Sequence, residues 1–363
     1  LAAGALRFAL TTGWGRDYVS AKIEAMAPAG QSLELSGLEG DLLGAFSARR
    51  VSLSDRAGVW LEIEDVRVNW SPGGLWQKAL DIDAIEAARI NVLRSPEFVM
   101  SNTGTGLPFE RLEVKNFAFP DVRVSDVFLP QAQSLQLSGS LAHGPDGGVL
   151  KTQGETVSAG RGDLIDLDVT WSPDWLISGD AVIESPPGGV VSSLAGLGSE
   201  RTLKVDMTTS GARSNLKTDI KGRLGTDVFA SGTLKMAGET QTITGFFHPG
   251  EIPALSEMAQ FLGPKVEVDA NIQRSGSGMF ITGDVTSDYF KASGTGRKTD
   301  ANYNIENLNI TVPDVDALGF DIPASAGRAE FKGRADWGDV QALSGHINVE
   351  SAAYKEQRFD EIA

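Results

Sequence analysis

The stretch Ile165-Asp166-Leu167-Asp168-Val169-Thr170-Trp171 decides the fold class. Apolar and polar residues alternate strictly along it, a period of two that suits a strand and not a helix. An extended chain with this pattern turns Ile165, Leu167, Val169 and Trp171 to one face. Asp166, Asp168 and Thr170 go to the other.

The same alternation extends in both directions. Upstream, Leu33 and Leu35 alternate with Ser and Glu, and Leu61 and Ile63 alternate with Glu62 and Glu64. The phase then slips, so that Val66, Val68 and Trp70 alternate with Arg67 and Asn69. A slip of one residue would send an apolar set to the wrong face, so this stretch predicts a bulge or strand break near Asp65. Leu80 and Ile82, Leu112 and Val114, Val122 and Val124, and Leu135 and Leu137 continue the pattern. Downstream come Leu203, Val205 and Met207, then Val266, Val268, Ala270 and Ile272, then Leu308, Ile310 and Val312. Turn signals are read between these runs: Ser138-Gly139-Ser140, Gly144-Pro145-Asp146-Gly147, Gly222, Gly232, Gly283 and Gly294. Their spacing predicts an all-β meander.

Helical signals are few. Gly15 to Met26 places Tyr18, Val19, Ile23 and Met26 on one face and stops at Pro28 and Gly30. Shorter candidates are Ser71 to Lys78, which opens on Ser-Pro, then Gly189 to Leu197 and Glu251 to Leu262. A sheet with one apolar face has to shield it against a second sheet, by closing into a barrel, or as a curved trough whose apolar inside holds a ligand. Alternation does not separate the three, and the sandwich is the commonest.

Composition narrows the function. The chain has 363 residues, a net charge of −16, no Cys and three His. So negative a surface repels phosphate backbones and anionic headgroups, which argues against a nucleic-acid partner. Without Cys there are no disulfides, thiolate metal sites or cysteine nucleophiles. His143, His248 and His346 lie far apart in sequence and suit structural roles. No nucleophile elbow, phosphate loop or paired-His zinc motif is present. Gly294-Thr295-Gly296-Arg297-Lys298 has the wrong glycine spacing for a phosphate loop and reads as a turn. Asp81 with Asp83, and Asp166 with Asp168, are carboxylate pairs that could bind Ca²⁺ or do acid–base work. Each lies opposite an apolar face, where a solvated strand places its charges. No catalytic residue, metal or cofactor is expected.

The ends are read as cut. Leu1 to Thr12 is apolar apart from Arg7 and the closing threonines, and too short to span a bilayer. It fits the tail of a membrane anchor or an ordinary amphipathic helix. No other stretch has the apolar length of a spanning helix. Arg358 to Ala363 carries no stop signal.

An ordered series in the first hundred residues carries a resemblance. It runs through Gly15-Arg16-Asp17-Tyr18-Val19, Ile23-Glu24, Leu38-Glu39-Gly40-Asp41-Leu42-Leu43-Gly44 and Val51-Ser52-Leu53-Ser54-Asp55. It continues with Leu61-Glu62-Ile63, Val68-Asn69-Trp70-Ser71-Pro72 and Leu80-Asp81-Ile82-Asp83. Over residues 14 to 95 this resembles the N-terminal part of the TamB family, the inner-membrane subunits of the translocation and assembly module of Gram-negative bacteria, within the AsmA-like group. No single motif is diagnostic, and the order and spacing carry the likeness. The resemblance implies an N-terminal inner-membrane anchor and a periplasmic body built as a long, curved β-sheet trough. A C-terminal domain would meet the outer-membrane partner TamA. The family is linked to outer-membrane protein assembly and to phospholipid passage between the membranes, and it supplies no catalytic residues. This chain lacks a complete anchor and the C-terminal domain, so TamA binding would concern the complete protein.

The resulting expectation is an all-β, elongated, curved β-sheet trough (β-taco-like) with a short N-terminal helix. Residues 1–30 would form the helical segment and 31–363 a repetitive sheet body truncated at its C-terminus. Ile165, Leu167, Val169 and Trp171 would line a groove for phospholipid. An assembly scaffold that offers strand edges or apolar surface to outer-membrane proteins, and an unrelated all-β binding module or hydrolase, remain alternatives.

Overall fold

The computed structural model describes residues 21, 24, 30–94, 109–125, 133–157, 162–194, 197, 200–212, 214–275, 278–298, 303–318, 324–337, 342–354 and 357–362. The predicted helix from Gly15 to Met26 and the apolar Leu1 to Thr12 lie outside them, apart from Ala21 and Glu24, which are helical. The chain is nearly all β, with open, curved sheet and very few helices, as a β-trough requires. It divides into two units, residues 1–194 and 195–363.

Unit 1 carries β1 (Ser32–Ser36), β2 (Glu39–Gly40), β3 (Ala45–Asp55), β4 (Gly58–Ser71), β5 (Ala79–Val92), β6 (Arg111–Val124), β7 (Gln133–Gly144), β8 (Gly147–Thr156), β9 (Leu164–Trp171) and β10 (Leu176–Ser185). Its ladder runs β1, β3, β4, β5, β6, β7, β8, β9, β10, with the two-residue β2 also paired to β3. The meander expectation needs one correction, because β5 and β6 are parallel. Parallel neighbours need a crossover rather than a hairpin.

The phase slip in β4 is real, but it is neither a strand break nor a shift of register: β4 runs unbroken through Asp65, and the register shifts of its two ladders lie at Leu53/Ser54 and Asn69/Trp70. Asp65 has φ 51°, a left-handed conformation that Asp tolerates better than most residues. The ladder passes from Arg50 opposite Glu64 to Ala48 opposite Val66, and from Glu64 opposite Arg89 to Val66 opposite Ala87. The neighbouring strands therefore slip together. Phe46, Ala48, Val51 and Leu53 stay on the same face as Leu61, Ile63, Val66, Val68 and Trp70. Further along, β6 absorbs Pro120 and Asp121 in a bulge between Phe119 and Val122. There the missing proline N–H costs no ladder bond. Leu38, Leu42 and Ala48 form a small buried cluster under the β2 turn, flanked by Leu35, Phe46, Val51 and Val66.

Unit 2 carries β11 (Leu203–Ala212), β12 (Asn215–Leu224), β13 (Asp227–Ala237), β14 (Thr240–Phe247), β15 (Val266–Ser275), β16 (Gly278–Ser287), β17 (Lys291–Lys298), β18 (Tyr303–Val312), β19 (Ala324–Ser325), β20 (Ala329–Trp337), β21 (Ala342–Tyr354) and β22 (Gln357–Ile362). They pair antiparallel in chain order, except that β18 pairs β20 and the short β19 pairs β21. The glycine readings are corrected here. Gly139, Gly222, Gly232, Gly283 and Gly294 lie inside strands, as does the Gly294 to Lys298 segment, which is the second half of β17. Three glycine pairs face each other across ladders: Gly232 with Gly245, Gly283 with Gly294, and Gly333 with Gly345.

The short helical signals shrink. Pro72–Gln77 is a 3₁₀ turn, Val190–Leu194 is a single α-helical turn (α1), and Glu251 to Leu262 breaks into 3₁₀ turns and the short helix Ala259–Leu262 (α2).

Candidate functional site

In β9, Ile165, Leu167, Val169 and Trp171 share one face, as their spacing predicts. Ile165 stands between Gly154 and Ile183, and Leu167 between Thr152 and Ala181. Val169 stands between Leu150 and Gly179, and Trp171 between Gly148 and Ile177. All four are half-buried. In a sandwich a second sheet about 10 Å away would bury such residues almost completely. Here the apolar face is shielded only by its own ladder neighbours, several of them Gly or Ala.

The opposite face is polar and ion-paired. Asp168 meets Lys151 at 3.1 Å, Asp81 meets Arg111 at 2.7 Å and Asp83 meets Lys115 at 2.6 Å. The hydrogen bond and charge of Lys115 hold the Asp83 carboxyl below its ordinary range. Three of the four carboxylates read as pairs from the sequence, Asp81, Asp83 and Asp168, are thus engaged with cross-strand cations. Among the described residues no group of three or more His, Asp or Glu could hold a metal ion. A surface depression of unit 1, about 660 Å³, opens mainly on this side, against Gln153, Asp166 and Glu184 together with Leu164 and Val182, and touches Ile165.

The two ends of the β9–β10 apolar strip differ. At one end Trp171 Nε1 donates to His143 Nδ1 at 3.1 Å, which leaves the imidazole proton on Nε2 in the neutral ring. The Trp171 and Trp175 rings lie nearly parallel with centroids 6.4 Å apart, and His143 lies 5.9 and 6.2 Å from them. Trp175, in the β9–β10 turn, has φ 57° and is 48% exposed. At the other end Asp163 is fully buried. Its carboxylate accepts from Thr156 Oγ1 at 3.2 Å, from the Val190 N–H at 2.9 Å and from Ser185 Oγ. Ser185 Oγ in turn accepts from the Ser192 N–H at 3.0 Å. This network fastens α1 over the strand ends. Nothing in the sequence pattern signalled it, because its members come from four separate segments. The one available clue was the Pro186-Pro187-Gly188-Gly189 stop before a short apolar run.

No helix among the described residues is long and apolar enough to cross a membrane. No protein-family model, curated protein or solved structure matches the chain.

Proposed function

We propose that this chain conducts phospholipid along the apolar face of its sheets, as a TamB-like, inner-membrane-anchored protein of the Gram-negative periplasm. In the complete protein, a C-terminal domain would contact TamA. The observation that carries this reading is the uncovered apolar face. Strand after strand sets aliphatic residues side by side on one face and charges on the other, with no second sheet over the aliphatic side among the described residues. An isolated globular domain would bury that surface, whereas an acyl chain can cover it. The acidic opposite face keeps so much open sheet from self-association. Nothing in the ion-paired polar face assembles a nucleophile, base and orienter, so a binding role is favoured over turnover.

The test is native mass spectrometry of the purified chain, alone and as Leu167→Asp. On a half-exposed face the new carboxylate stays hydrated and costs about 1 kcal/mol, whereas in a sealed core it would cost several. The expected result is co-purified phospholipid on the wild type, and a folded Leu167→Asp variant that carries less. A wild type without lipid, together with an unfolded variant, would overturn the reading. Captured polypeptide in place of lipid would favour the assembly-scaffold alternative.

A further inference from the structure

Four of the chain's seven tryptophans fall at one strand-end rim of unit 1. β4, β7 and β9 end there and β5, β6, β8 and β10 begin there, as the pairings Ala79 with Arg111, Leu112 with His143 and Gly148 with Trp171 fix. Trp70 closes β4, Trp76 sits in the following turn and is 93% exposed, Trp171 closes β9, and Trp175 lies in the next turn. The opposite rim of the β9–β10 strip is sealed by the Asp163, Ser185 and Ser192 network, each member fully buried. The strip is therefore closed and polar-capped at one end and open, with indoles, at the other.

Indole has an apolar body and one N–H, and it concentrates where hydrocarbon meets water. Trp171 already satisfies its N–H through His143, so its ring presents apolar surface, and Trp175 extends that surface outward from the left-handed turn. Ile165 to Trp171 spans about 20 Å at the usual strand rise, against about 15 Å for one leaflet of a bilayer's hydrocarbon. One acyl chain laid along β9 and β10 fills the strip.

We infer that His143, Trp171 and Trp175 form the polar-end subsite for a single phospholipid. The acyl chain points toward the sealed Asp163 end, and the glycerol and headgroup leave across the Trp171–Trp175 rim. This rests on the lipid-conduit reading and adds an orientation to it. The cations at this rim, Arg111 and Lys78, are already paired with Asp81 and Glu110, so recognition is of the hydrocarbon–water boundary and not of phosphate charge.

The test loads the full chain with phosphatidylcholine carrying either a nitroxide on the headgroup or bromine near the acyl terminus. Tryptophan quenching is read as the difference between wild type and Trp171→Phe/Trp175→Phe. Lipid retention is measured by native mass spectrometry and folding by circular dichroism. A second variant, Trp175→Leu alone, serves if the double variant misfolds. The expected result is that the headgroup probe quenches this pair at least about twofold more than the acyl-terminal probe, as a boundary position requires. Retained lipid with equal or reversed quenching overturns the orientation and leaves the conduit reading standing. Quenching only in the presence of vesicles makes the rim a bilayer contact and overturns the subsite. Absence of retained lipid overturns the conduit reading and the subsite with it.

Discussion

Strands β3–β6 of unit 1 and strands β13–β17 of unit 2 present the same kind of apolar face but accommodate sheet curvature differently, although elsewhere in unit 2 the β12–β13, β17–β18 and β18–β20 ladders shift as well. In β3–β6 the device is the bulge. The register shifts in every one of the pairings β3–β4, β4–β5 and β6–β7, and no glycine interrupts the apolar face within these strands. In unit 2 the ladders from β13 to β17 run without a shift, and glycines stand in the strands instead. Bulges and glycines are the two ways a sheet is bent on purpose. Their side effects differ. At Asp65 the slip is shared by β3, β4 and β5 without a shift of register, whereas the bulges proper lie at Leu53/Ser54, Asn69/Trp70 and in β6. A strand glycine leaves bare backbone, onto which aromatic rings settle. Phe331 lies over Gly333 and Gly345, Phe229 over Gly222 and, in the later part of unit 1, Phe117 over Gly139. Unit 2 also leaves its face more open toward β21, where Leu343 is 66% and Ile347 58% exposed.

The largest effect that would break this comparison is steric. A Cβ at Gly333 would sit 2.6 Å from Phe331 Cζ, with the Ser344 carbonyl closer still. Gly333→Ala should destabilise unit 2 by about 2–3 kcal/mol, the usual range for forced overpacking. In a Phe331→Ala background the added cost should fall, because one of the three clashes is gone. The reverse change in β5, Ala87→Gly, should cost only about 1 kcal/mol, mostly from backbone entropy. Denaturant unfolding of the four variants reads all of this. A Gly333→Ala protein within 0.5 kcal/mol of wild type, about the spread of a neutral surface change, would mean that these glycines are incidental.

A smaller effect probes the phase slip. Asp65 holds a left-handed φ of 51°. Asp65→Gly should gain up to about 1 kcal/mol by relieving that conformation, and Asp65→Val, β-branched and poorly suited to it, should lose about 1–2 kcal/mol. Equal stabilities for the two would show that the slip is not fixed by residue 65.

These two sites also show what could be read from the sequence. The slip at Asp65 was legible because strand side chains alternate with a period of two, so a slip leaves two adjacent polar residues in plain view. The strand glycines were not. Gly232 or Gly283 looks locally like a turn, and only the facing glycine on the next strand shows why a strand accepts it. The parallel β5–β6 pair was hidden for a similar reason, since alternation carries no record of which strand lies beside which. The apolar set of β9 was placed correctly on one face. The seal at Asp163 and the His143–Trp171–Trp175 cluster were invisible, because each joins residues distant in sequence.

The smallest predicted effect concerns the charges beside the bulges and appears only in acid. Asp121, in the β6 bulge, accepts from the Arg123 guanidinium, from Arg89 Nε at 2.8 Å and from Ser134 Oγ at 3.1 Å. Arg89 also reaches Glu64 at 3.2 Å, so the charges form a line across three strands. Hydrogen bonds from Arg123 and then Arg89 outweigh desolvation and hold the Asp121 carboxyl at about 2, below its ordinary 3.8. A carboxyl lower in the folded state than in the unfolded one contributes its full stability above the unfolded value. That contribution disappears as pH falls from about 4 to about 2. Solvent screening at this partly open site keeps it below about 1 kcal/mol. Asp121→Asn should therefore lose that amount at neutral pH and show a flatter stability profile between pH 4 and pH 2. In unit 2 the nearest counterpart is Asp219, also lowered, by hydrogen bonds from Lys217 and Thr233, but more exposed and tied to no bulge. Asp219→Asn should flatten the acid limb of the curve less than Asp121→Asn does. If the two variants have the same acid limb, the charge line across β4–β6 gives the bulged strands no support that an ordinary surface pair lacks.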